Sequence, residues 1–148
     1  MRILRASLAA AALVGAGGCL GDGGTVTLMF DQQSTVTPPI TGFNASNATA
    51  NDASDGFIHF TATSAQGILT MDVVGPLHAG DTVDMMTAHN FLSFDRGGTP
   101  AAGWANNGGT LTVDAVGPYK IRFNAVPMLR GSGAAMGDFV IDGSGTFK

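Results

Sequence analysis

The chain has 148 residues, a length that suits one domain. Charged residues make up only 12% of it, all eleven acids are Asp, and lysine occurs only at Lys120 and Lys148. That composition excludes helical bundles and coiled coils, whose surfaces are built from Glu, Lys and Arg, and excludes a basic nucleic-acid-binding protein. A hydrophobic share of 45% excludes charge-driven disorder, and a single cysteine excludes a disulfide scaffold.

Arg2 and Arg5 form a basic start. Ala6 to Val14 is an uncharged run, apolar except at Ser7, and Gly15, Ala16, Gly17 and Gly18 lead into Cys19. Positive flank, short apolar run and small-residue exit predict a secretory signal peptide over residues 1–18. The run falls well short of the ~20 apolar residues that cross a bilayer. Ala16-Gly17-Gly18-Cys19 resembles the lipobox of bacterial lipoproteins, a likeness that covers residues 1–19. It implies export, cleavage before Cys19, acylation of Cys19 with palmitate-type chains, and lipid anchoring at the cell membrane or outer membrane. Ala16 stands where that family usually has Leu, and ordinary cleavage that leaves a free thiol is the alternative. Residues 19–148 carry five basic and eleven acidic side chains, net −6, a surface that seeks neither nucleic acid nor anionic lipid. Glycine at three of the five positions Leu20-Gly21-Asp22-Gly23-Gly24 predicts a flexible tether, which with Cys19 spans 19–24 and leaves 25–148 as the domain.

From Thr25 the chain alternates at period two. Val26, Leu28 and Phe30 share one face of the first run; Ile58, Phe60 and Ala62 share another, and Leu69, Met71 and Val73 a third. Val83 with Met85, Leu92 with Phe94, Leu111 with Val113 and Ala115, then Tyr119, Ile121, Phe123 and Ala125, and finally Phe139 with Ile141 continue the pattern. Thr, Asp and Lys fill the opposite faces, as in half-buried antiparallel strands. Gly-Pro at 75–76 and 117–118, Ala79-Gly80-Asp81 and Asn107-Gly108-Gly109 mark turns. Residues 32–55 and 96–107 read as longer loops. About eight short strands predict an all-β, antiparallel two-sheet sandwich, with a β-barrel as the alternative. Trp104, Gly108 to Val113, Ile121 to Phe123 and Gly137 to Gly143 resemble the closing strands of secreted bacterial β-sandwich domains of unassigned function. This likeness bears on fold more than on activity.

Candidate chemistry is sparse. A hydrolase needs a nucleophile, a base and an orienting group, and neither Ser144 nor the three histidines His59, His78 and His89 fall in such a pattern. His78, Asp81, Asp84, Met85, Met86 and His89 lie within twelve residues. A secreted metal-dependent enzyme using His78 and His89 with Asp residues is therefore the rival reading. Alternation sends Asp84 and Met85 to opposite faces, which argues against a single metal site, so no cofactor is expected. Asp52 and Asp55 read as loop carboxylates without a partner. The candidate ligand site is the stretch from Arg96 to Asn107, where Trp104 would be a stacking platform flanked by Arg96, Asn106 and Asn107. The other reading, which a large apolar ring favours, is that Trp104 folds back and plugs one end of the fold. The resulting expectation is a lipid-anchored envelope protein with a non-catalytic binding or structural domain. Its expected partners are the membrane, through Cys19, and an envelope protein or carbohydrate.

Overall fold

A computed structural model describes residues 23–33, 35–99 and 101–148. The proposed signal peptide and Cys19 lie outside the described residues. Ten strands and no helix make up the described chain: β1 (Gly24–Gln32), β2 (Gly42–Asp52), β3 (Phe57–Ser64), β4 (Gly67–Val74), β5 (Thr82–Asp84), β6 (Phe91–Arg96), β7 (Ala102–Asn106), β8 (Thr110–Ala115), β9 (Tyr119–Gly133) and β10 (Phe139–Phe147).

The strands do not split into two sheets. They form one antiparallel sheet in the order β10-β1-β2-β3-β4-β6-β7-β9-β8-β5, and β10 also pairs with β9. Eight strands therefore close into an up-and-down barrel, and β8 and β5 extend from it. The expected sandwich is corrected to its barrel alternative. Period-two alternation is the same in both, because each has one apolar face per strand. What separates them is the pairing of β10 with β1 along one edge and with β9 along the other.

β9 is the longest strand at 15 residues. One of its edges pairs first with β8, Lys120 to Asn124, and then with β7, Met128 to Gly133. Val83, Leu111 and Val113, on β5 and β8, are buried in the same cluster as the barrel's own core. The two extra strands thus continue the wall beside the short β7.

Two strands occupy stretches that read as loops. β2 contains Asn, Ser, Thr and Ala where strands usually carry bulky residues. It also has a register shift between Ala45 and Ala48 against β1. Both alanines face inward, so the extra residue breaks the period that would have announced the strand. β7 is short and hides Gly103 between Ala102 and Trp104. The same device acts in β9. Asn124 and Ala125 together oppose Asp142 of β10, Ala125 adopts φ +48°, and its N–H donates to Asp142 Oδ1 at 2.9 Å. The inward set changes phase from Ile121 and Phe123 to Val126 and Met128, and Ala125, expected inside, faces out. Gly143 lies beside this bulge at φ +139°, where a Cβ would sit 2.4 Å from the Thr27 carbonyl oxygen. Only glycine lets β10 approach β1 there.

The interior is filled by side chains, as an eight-stranded barrel permits. Its buried residues are all apolar among those described. Two aromatic groups occupy its two ends. Near one end Phe30 stacks on Phe139 at 4.7 Å, and Phe94 and Trp104 complete the group. Near the other, Phe60 meets Phe147 at 5.1 Å and Tyr119 at 5.3 Å. Truncating Phe123 to Ala should destabilise the fold by about 3–5 kcal/mol. Lys120→Ala, on the outer face, should change stability by no more than about 0.5 kcal/mol. Urea denaturation of the two variants checks both; a small loss for Phe123→Ala would place that ring outside the core.

Candidate functional site

The barrel has two unlike ends. At the base, β1 begins at Gly24, and the turns β2–β3 and β8–β9 gather there with the C-terminus. At the mouth lie the described parts of the connections β1–β2 (33 and 35–41), β3–β4 (65–66), β6–β7 (97–99 and 101) and β9–β10 (134–138). The first of these folds inward: Val36 and Ile40 are buried, and Gln32 Nε2 donates to the Ile40 carbonyl at 2.6 Å. The core is thus closed over at the mouth.

Trp104 is 1% exposed and packs inside, against Phe94 and Phe139, with its indole N–H donating to the Gly137 carbonyl at 3.0 Å. Of the two readings of Trp104, the structure has the plug, the reading that its size and apolarity favour, and not the exposed stacking platform. A large apolar ring on the inward register of β7 gains more from burial than from water. Asn106 is equally occupied. Its Oδ1 accepts the Leu92 N–H at 2.8 Å and its Nδ2 donates to the Met85 carbonyl at 2.7 Å, which ties the β5–β6 connection to β7. The Asn107 backbone N–H donates to Pro127 at 2.8 Å. Arg96 pairs with Ala102, at the opposite end of the β6–β7 hairpin from these amides. The four residues therefore form no common site, and Arg96 stands apart at the mouth.

Arg96 continues the inward register of Leu92 and Phe94, but one step beyond the core. It is the one part-buried cation among the described residues, and its guanidinium has no hydrogen-bond or ion-pair partner among them. Two clefts meet at it. One, of about 520 Å³, lies between the outer face of β1–β2, the Pro39–Thr41 segment and the Ala65–Gln66 turn. The other, of about 600 Å³, runs past Ser64, Ile68, Asp95, Gly98 and Ser132. Both volumes are of the size that holds small ligands.

A second constellation sits on the outer wall. His59 of β3 and Asp72 of β4 are cross-strand partners, with Nδ1 to Oδ1 at 2.7 Å, and Asp55 approaches Nε2 at 3.0 Å. Hydrogen bonds from Asp72 and then Asp55 raise the pKa of His59 above the ordinary histidine value. The Phe57 backbone N–H and then His59 lower that of Asp55. Asp55, expected to be a solitary loop carboxylate, is thus part of this group. The pairing was legible in principle. The two-residue turn Ala65–Gln66 places residues 59 and 72 opposite one another, and alternation turns both outward. With both imidazole nitrogens on carboxylates, neither is left to activate a nucleophile.

The other two histidines do not join it. His78 is exposed beside Asp81, with Nδ1 to Oδ2 at 3.5 Å, and His89 lies exposed in the β5–β6 connection. Asp84 Oδ1 accepts the Met86 N–H, while Met85 is buried. Among the described residues no group of three or more His, Cys or Asp is arranged to hold a metal ion. Arg122 pairs with Asp114, which holds that carboxyl below its usual range. Comparison with protein-family models, with curated proteins and with solved structures found no match.

Two outcomes check this geometry. Trp104 fluorescence should be blue-shifted and resist acrylamide, and Trp104→Ala should destabilise the protein by about 3–5 kcal/mol; a red-shifted, readily quenched indole would contradict the burial. For His59 the raised folded pKa means that its contribution to stability is complete below the unfolded value of about 6.5. That contribution is lost as pH rises through the folded pKa above it. NMR titration of His59 should show a midpoint above the unfolded value, lowered by Asp72→Asn. An unchanged midpoint in that variant would remove Asp72 as the cause.

Proposed function

We propose that the protein is an exported lipoprotein, acylated at Cys19 and held at the cell membrane or outer membrane, whose barrel is a non-catalytic binding module. The observation that carries this reading is the placement of the Arg96 clefts. They lie at the mouth, and the chain enters the barrel at the base. Gly24 is five residues from Cys19, and five residues reach at most roughly 17 Å even when extended. An anchor at Cys19 therefore keeps the base near the bilayer and turns the mouth away from it, toward whatever the compartment contains. Gly24 belongs to β1 and would collide with β10 if it carried a side chain: a Cβ there would lie 1.8 Å from the Thr146 carbonyl oxygen.

A non-catalytic role is supported by the distribution of titratable groups. The described histidines sit on the outer surface, two of them beside carboxylates and none at the mouth. The apolar, filled interior offers no chamber in which a reaction could be shielded from water.

Membrane fractionation with radiolabelled palmitate tests the anchor. The native protein should be labelled and sediment with membranes. Cys19→Ser should be unlabelled and either soluble or retained with its leader uncut. A native protein that is unlabelled, with a free Cys19 thiol by intact mass, would defeat the proposal.

A further inference from the structure

The cleft between β1–β2 and the Ala65–Gln66 turn has a chemistry distinct from its neighbour. Arg96 is its one charged lining residue, whereas the other cleft also contains Asp95. Its remaining polar lining is neutral: the hydroxyls of Thr27 and Thr41 and the amides of Asn44 and Gln66. The first three make no side-chain hydrogen bond to another described residue, and Gln66 uses only its Oε1, accepting from Ser64 at 2.7 Å. Donors and acceptors are therefore free on both sides of an opening that also presents Met29, 67% exposed.

Arg96 is a part-buried residue whose guanidinium donors have no hydrogen-bond or ion-pair partner among the described residues. A carboxylate supplied from outside would match them, with the bidentate geometry that suits arginine. The surrounding neutral amides and hydroxyls both donate and accept, which suits a ligand rich in hydroxyl groups. The thioether and methylene surface of Met29 offers an apolar face for ring C–H groups. A simple inorganic anion would use the arginine and leave the rest idle. A fatty acid would leave the amides and hydroxyls facing hydrocarbon.

We propose that this cleft binds an acidic sugar, a pyranose ring bearing a carboxylate, with the carboxylate on Arg96 and the ring hydroxyls on Thr41, Asn44 and Gln66. The proposal rests on the reading of the barrel as a binding module and names the class of its ligand. Its test is independent of the Cys19 experiment, so an anchor without a sugar and a sugar without an anchor are separate results.

The full chain in mild detergent, ¹⁵N-labelled, is titrated with glucuronate, glucose and acetate while amide and Arg side-chain resonances are followed. Glucuronate should shift Arg96, Thr41, Asn44 and Gln66, with glucose and acetate each at least tenfold weaker. Arg96→Gln should abolish the glucuronate shifts while its Trp104 emission stays native, and Arg130→Gln, at the same mouth, should leave them intact. Acetate binding as tightly as glucuronate would overturn the sugar and reduce the site to a simple anion site. Glucuronate shifts that survive Arg96→Gln, or no shifts with any of the three, would overturn the proposal.

Discussion

The pairing of β10 with β1 on one side and β9 on the other is the constraint on which the rest of the structure depends. An open eight-stranded sheet with one apolar face would need a second layer to cover it and would expose two edges to association. Closing the sheet on itself covers that face with its own opposite wall. The extension leaves β5 as the exposed edge of β8, and β5 is only three residues long and ends in Asp84. A short edge with a charge is a poor template for further pairing. Closure also explains the bulges. Each adds a residue where the wall must bend, and Asp142 stabilises one of them by accepting the amide that the bulge leaves unpaired.

The same alternation that fills the barrel supplies its mouth. Ser64 follows Ala62 in the inward register, and Arg96 follows Phe94. While the strand lies within the wall these positions are apolar. One step past the core they become polar, so that groups aimed along the interior face emerge beside the connecting segments. Arg96 thereby gains partial burial without entering the core, and the Ala65–Gln66 turn divides the space around it into two clefts. Below this position lies the packed aromatic group of Phe30, Phe94, Trp104 and Phe139. The proposed site would thus be built on strand ends over a packed core, an arrangement that needs little ordering on binding.

Electrostatics here is local because charge is scarce. Asp114 and Arg122 neutralise one another on β8–β9, and Asp55, His59 and Asp72 form a compact group on β3–β4. All are substantially solvated, so they tune pH dependence more than they hold the fold together. Stability must come from the apolar interior, which is why the structure carries so many phenylalanines in place of ion pairs.

The all-β class, the inward faces of β1, β3, β4, β6, β8 and the first half of β9, and the outward direction of Lys120 and Arg122 were readable from alternation alone. A half-buried strand can satisfy its two environments only at period two. The sequence by itself also marks Cys19 and the layout before it. It did not determine closure, because sandwich and barrel impose the same pattern on each strand and differ only in which distant edges meet. β2 and the second half of β9 were obscured by bulges that shift the period, and β7 by its brevity and small residues. Trp104 was ambiguous for the same reason: a lone aromatic in a Gly- and Ala-rich stretch has no local partner to say whether it faces core or solvent. Phe94 and Phe139, brought beside it by β6 and β10, decide that it faces inward. The cleft at Arg96 draws on residues as far apart as Thr27 and Arg96, and only the tertiary structure, by winding β1, β2, the Ala65–Gln66 turn and β6 around one core, places them at a single mouth.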